Sequence, residues 1–167
     1  MPVMNPEDLL ITQQLVHDQI ADGLPLETVV TSVCQLAEQA LPDSIVSVML
    51  YDPVSTTLNL VQTGQFSARY WQAAQGLPVG PGIATCGVAA HTGQLEVTPD
   101  IHQSADWAPY RELADAEGFR ACWSTPVFGR QEELLGTFGV YRRQPGTPSA
   151  VEQRLLQGLN RLLAVAI

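Results

Sequence analysis

Three cysteines, Cys34, Cys86 and Cys122, are the residues best suited to covalent chemistry in this chain of 167 residues. They are odd in number, widely spaced and form no C-x-x-C, so they outline neither a disulfide framework nor a zinc knuckle. Cys34 falls in a helical apolar pattern, where a free thiol packs as a small hydrophobe. Cys86 falls near the start of a short helix, whose dipole favours a thiolate, yet a packed small residue is the commoner role of such a thiol. No thiol catalysis is expected of it, and Cys86→Ser should leave folding and binding nearly intact. Asp100-x-His102 sets a carboxylate beside an imidazole, and His91 ends the preceding helix. No two histidines share a helix face at metal-ligand spacing, so no metal site is expected. Ser124, His102 and Asp100 would need a nucleophile-elbow motif to act as a hydrolase triad, and none is present. Gly80-Pro81-Gly82 with Gly87 suggests a phosphate loop only superficially: no strand immediately precedes it, and Thr85 stands where a dinucleotide fingerprint needs its third glycine. A tight turn into a helix explains these glycines, and that helix can still offer N–H groups to a small anion.

Composition removes further classes. Lysine is absent, which excludes a P-loop, a pyridoxal Schiff base and the strand lysine of protein kinases. The formal charge is −9, with eight acids and no base in residues 1–68 and nine acids with eight arginines in 69–167. An acidic face repels nucleic acid and anionic membranes, so neither is an expected partner. Apolar residues make up 46%, an ordinary globular share, and no apolar run approaches membrane-spanning length. A soluble, cytoplasmic protein is expected.

The elements that must position these residues follow from periodicity. Leu9, Leu10, Val16 and Ile20 mark a first helix over residues 6–22. Pro25 starts a second, with Val29, Val30, Val33, Leu36, Ala37, Ala40 and Leu41 on one face. Ile45 to Tyr51 is a strand apolar on both faces, as in a sheet covered on both sides, and Leu58 to Gln62 returns as its partner. Ser67 to Gln75 reads as a short helix, 76–82 as a loop, Ile83 to His91 as a helix and Leu95 to Thr98 as a strand. Asp106 to Glu117 reads as a helix capped by Gly118. Strands 120–128 and 133–142 form a hairpin, and Ser149 with Glu152 has the capping-box spacing that launches a last helix. The expectation is one α+β domain, with a central antiparallel sheet of five or six strands and helices on both faces. Residues 1–42 hold the N-terminal helices, 43–142 the sheet and pocket, and 149–167 the C-terminal helix.

Residues 82–141 also carry a family pattern: G-I-A-T-C-G-x-A-A, then D-I, D-W and Y, then G-F-R-A-C-W-S-T-P-V and L-L-G-T-F-G-V-Y. This pattern resembles the sensory GAF domain of bacterial signalling proteins. The resemblance implies a regulatory module that binds a small molecule and biases an attached output domain. By that resemblance the faces carrying Cys122–Ser124 and Gly139–Tyr141 turn toward the ligand, with Trp107 and Tyr110 closing over them. A cavity facing Cys86, Asp100, Trp107, Tyr110, Cys122, Ser124 and Tyr141 is therefore expected, its ligand and any cofactor unnamed. The alternative is a small thiol enzyme of the free methionine sulfoxide reductase branch using Cys86. Against it, no cysteine lies between Asp106 and Arg120, and Cys122, Gly139 and Tyr141 stand where that branch has carboxylates. Bilin-binding relatives need a cysteine in the helix where this chain has Tyr110-Arg111-Glu112-Leu113. The cyclic-nucleotide signature needs a lysine.

The last helix runs through Leu155, Leu156, Leu159, Leu162, Leu163, Ala166 and Ile167 without a stop signal. Its stripe looks wider than one sheet face needs, and Leu9, Val16 and Ile20 form a comparable one. A parallel homodimer through the terminal helices, with an output domain beyond Ile167, is the expectation from these stripes.

Overall fold

The computed structural model describes residues 5–167; residues 1–4 of the expected N-terminal unit lie outside the described residues. Helix α1 (Pro6–Ala21) starts where the Asn5 side chain accepts the Asp8 N–H, with Pro6 in the first turn, where its missing N–H costs nothing. In α2 (Leu26–Ala40) the proline sits one place earlier than expected, at the N-cap. There follow β1 (Ser44–Asp52), β2 (Thr57–Leu60), α3 (Ala68–Ala73), β3 (Leu77–Pro78), α4 (Ala84–Thr92) and β4 (Glu96–Thr98). Two 3-10 segments, Ile101–Gln103 and Ala105–Tyr110, lead into α5 (Arg111–Glu117), and the chain closes with β5 (Ala121–Phe128), β6 (Leu134–Arg142) and α6 (Ala150–Ala166).

The six strands form one antiparallel sheet in the order β3-β2-β1-β6-β5-β4. This is the α+β architecture expected from the strand and helix order. Alternation along the strands divides the side chains between two faces. Val46, Val48, Trp123, Val127, Phe138 and Val140 pack against α1, α2 and α6 in one core. Met49, Cys122 and Tyr141 belong to a second core under α3, α4, the 3-10 segments and α5. Pro126 fits in β5 because β4 pairs only as far as Ser124, so no neighbour on that side needs its missing N–H. Its carbonyl accepts from Asn160 Nδ2 at 3.1 Å, which fixes α6 against the sheet. The capping box at Ser149 and Glu152 is present, and Glu152 also pairs with Arg142, whose guanidinium lies 5.2 Å over the Trp123 ring.

Three expectations change. The helix over 106–117 divides, because Pro109 cannot donate within an α-helix; residues 105–110 wind as a 3-10 segment and α5 begins only at Arg111. The loop over 76–82 contains the edge strand β3, where Pro78 is tolerated because an edge leaves one side unpaired. The stripe assigned to a second subunit is largely used within the chain: Val16, Leu156, Leu159, Leu162 and Leu163 are buried together, with Leu9, Ile20 and Leu155 partly buried beside them. Three helices share this sheet face, so α6 must present apolar residues both to the sheet and to its helical neighbours. That widens its apolar stripe within a single chain.

Candidate functional site

The second core surrounds a cavity between the sheet and its overlying segments, lined by Met49, Leu60, Tyr70, Ala74, Ala84, Cys86, Trp107, Tyr110, Leu113 and Tyr141 among others. Short elements bring these together. The small residues Ala84, Cys86 and Ala89 of α4 let the helix lie directly on the sheet. Gly118 takes a left-handed φ of 78°, which turns α5 back toward β5 at little steric cost. Trp107 is held by its indole N–H, which donates to Thr85 Oγ1 at 2.8 Å, and Thr85 in turn bonds Thr98 at 2.8 Å. The Tyr70 hydroxyl donates to the Tyr141 hydroxyl at 3.1 Å, and both phenols lie in an aromatic cluster with Phe66 and Phe119. Burial pushes both phenols' pKa values well up, so they remain neutral donors.

The cavity floor is a notch in the sheet. Ser47, Gly139 and Ser124 stand side by side across β1, β6 and β5. A Cβ at Gly139 would lie 2.7 Å from Ser47 Oγ, so the serine side chain would have to shift to admit one. The Cys86 sulfur lies beside this position at ordinary contact distance. A hydrogen bond from Cys122 lowers its pKa to about 7 against the raising effect of burial, and the Ser124, Thr137 and Tyr141 hydroxyls add to the lowering. Cys122 goes the opposite way, pushed well up first by burial and then by the neighbouring Cys86. Among the described residues, Ser47 Oγ, Ser124 Oγ and Thr137 Oγ1 are buried without a conventional hydrogen-bond partner. Each of these hydroxyls can donate one hydrogen bond and accept others.

Of the seven residues singled out from sequence, Cys86, Trp107, Tyr110 and Tyr141 meet at the cavity. Cys122 and Ser124 pack beneath Cys86 and are fully buried. Asp100 stands apart. Its carboxylate accepts the His102 N–H at 3.0 Å and pairs with Arg120 at 3.2 Å, and it borders a separate surface groove with Gln103, Ser104 and Asp106. Its place beside the pocket in sequence is overridden by the start of the first 3-10 segment, which turns the carboxylate outward. Sequence reasoning missed Tyr70, Leu60 and Ser47. Ser47 did carry a signal, as a lone polar residue inside an otherwise apolar strand.

The thiols are free, and among the described residues no group of three or more His, Cys, Asp or Glu side chains is arranged to hold a metal ion. His102 pairs with Asp115 on the surface, and His17 and His91 are exposed. No helix among the described residues is long and apolar enough to cross a membrane. The cavity volume is about 30 Å³, room for about two water molecules. A larger guest requires the covering segments to move.

Comparison with known proteins agrees with this architecture. The sequence model of the GAF domain matches residues 25–167. The methyl sulfide methyltransferase-associated sensor of Methanosarcina acetivorans is 30% identical over 161 residues, which is 96% of this chain and 16% of that protein. The GAF domain of a phosphoenolpyruvate-protein phosphotransferase from Coxiella burnetii superposes with a TM-score of 0.76 at 18% identity, covering 98% of this chain and 94% of that one. Free methionine-R-sulfoxide reductase from Neisseria meningitidis, solved with its substrate, gives a TM-score of 0.71 at 16% identity, covering 99% and 93%. At such identities the two structures speak for the fold alone.

Proposed function

The chain belongs to the GAF domain family, and from that premise we propose that it is the small-molecule-binding regulatory module of a cytoplasmic signal-transduction protein. One observation carries this reading: the cavity and the terminal helices lie on opposite faces of the same sheet. A guest that lifts α3, α5 and the 3-10 segments shifts strands whose other side carries α1 and α6. Small displacements of packed helices are an established way to pass such a change to a neighbouring domain. The relative in Methanosarcina is named a sensor, and the matching stretch is a small part of it, which supports an attached output domain here as well.

Regulation is favoured over catalysis by the composition of the cavity, whose walls are aromatic and aliphatic with buried neutral hydroxyls and no carboxylate among the lining residues. Pairing of two copies through the terminal helices belongs to the same proposal, with different residues from those the sequence suggested. Leu10, Ile11 and Leu15 on α1 and Val151 and Val165 on α6 are large exposed apolar groups there.

The test is a thermal-shift screen of cytosolic metabolites with the domain and its Ala74→Leu variant. Ala74 lines the cavity and is half-buried, so leucine fills the space without disturbing the sheet. Compounds that raise the melting temperature of the domain should lose that effect in the variant. Hits that stabilise both proteins equally would place binding elsewhere and overturn the proposal.

A further inference from the structure

No residue lining the cavity carries a charge, and four of them are aromatic: Tyr70, Trp107, Tyr110 and Tyr141. Trp107 meets Tyr110 and Tyr141 edge to face at 6.4 Å in each case, and walls of this kind attract a further ring by edge or offset contact. The Trp107 N–H is already committed to Thr85 at 2.8 Å. The hydroxyls of Tyr70 and Tyr141 share one hydrogen bond of 3.1 Å, yet between them they hold two protons. One phenolic proton is left to donate, and it lies among apolar walls.

The cavity reaches the surface between α3 and the segment that leads into α5. Ala73 is exposed there, and Ala74, Tyr110 and Leu113 are half-buried. The two alanines leave this side open to a single ring, whereas two fused rings need the space that Trp107 fills. The closed volume of about 30 Å³ is below the ~150 Å³ in which a protein cavity holds benzene, so a ring enters as the cover moves.

We infer that the site takes an uncharged, single-ring aromatic molecule with one hydrogen-bond acceptor, such as a carbonyl oxygen, bound by the Tyr70–Tyr141 pair. The inference rests on the regulatory reading of the same cavity and adds the chemical class of its ligand. An ionised guest would give up its water with no opposite charge in the wall to replace it. A carboxylate also meets the field of a chain whose net charge is −9. The start of α4 works the other way, since Ile83 supplies no side-chain cap and the free N–H groups favour an anion, but only with a partial charge. A cation gains from ring faces, yet Tyr70 and Tyr141 each already give one face to a stacked phenylalanine, Phe66 and Phe119.

The test is a ligand-observed NMR titration with acetophenone, toluene, benzoate and benzylamine, which share one ring and differ in acceptor and charge. Acetophenone should bind the wild-type domain about tenfold more tightly than toluene, and the two charged probes should not bind. Ala74→Leu should abolish acetophenone binding. The double variant Tyr70→Phe with Tyr141→Phe removes both partners of a buried bond and keeps their shape, so it should fold normally. Its affinity for acetophenone should fall about tenfold, to that of toluene, while toluene binding stays as it was and reports an intact cavity. Benzoate or benzylamine binding as tightly as acetophenone, acetophenone binding unchanged in either variant, or no binding of any probe would overturn the inference. The two readings fail separately. A charged probe or screened metabolite whose binding is lost in Ala74→Leu leaves the regulatory reading standing without this one. Acetophenone binding as expected, with hydrogen exchange in α1 and α6 unchanged, leaves this one standing without regulation.

Discussion

Leu159→Ala is expected to lower the unfolding free energy of the domain by about 2–5 kcal/mol, with the same loss at every protein concentration. Leu159 is fully buried in the core that α6 forms with α1, α2 and the sheet, beside Leu163 and Val16. Alanine removes the methyl groups and leaves a cavity that three packed helices can only partly close. Urea denaturation gives the number directly. The concentration series decides where the leucine packs. A residue at the seam of two copies would lose stability that depends on protomer concentration, whereas one inside a single chain would not. A loss below about 1 kcal/mol, or one that grows on dilution, would contradict the position of α6.

The second large effect is expected at Trp107, with Trp107→Ala costing about 3–5 kcal/mol. The ring is 2% exposed and meets Tyr110 and Tyr141 edge to face at 6.4 Å in each case. Its hydrogen bond to Thr85 adds little to the loss, because Thr85 keeps Thr98 as a partner. What remains is an enlarged cavity with apolar walls. Such a space accepts a flat aromatic molecule, so excess indole should restore part of the lost stability in the variant and leave the wild-type domain unchanged. Failure of indole to stabilise Trp107→Ala would mean that the ring does not close this cavity.

Much of the fold is legible in the residues themselves. The hairpin of β5 and β6 follows from unbroken alternation, and Ser149 with Glu152 announces α6 by local chemistry. The meeting of Cys86, Trp107, Tyr110 and Tyr141 follows from a recognisable stretch of chain in which helix and strand faces have a definite period. Other features depend on tertiary register, which no local pattern encodes. Ser47 joins the notch only because β1 pairs with β6 so that it stands opposite Gly139. Tyr70 reaches the cavity because α3 is tied to the end of β2, where the Trp71 indole N–H donates to the Leu60 carbonyl at 2.9 Å. Asp100 is lost from the site because Arg120 and the His102 amide take both its oxygens. The wide stripe of α6 was ambiguous for a related reason: a second helix of the same chain and a helix of a second copy ask for the same residues.

The central claim is that the cavity of about 30 Å³ admits a guest by movement of α3, α5 and the 3-10 segments while the sheet stays in place. Native-state hydrogen exchange measures this without knowledge of the ligand, because local opening and global unfolding have separate free energies. Amides of Tyr70 to Ala74 and of Leu113 and Ala114 should exchange by local opening well below the free energy that governs Phe138 and Val140 in β6. If the covering segments exchange only with the sheet, through global unfolding, the cavity is a sealed part of the core and the account is wrong.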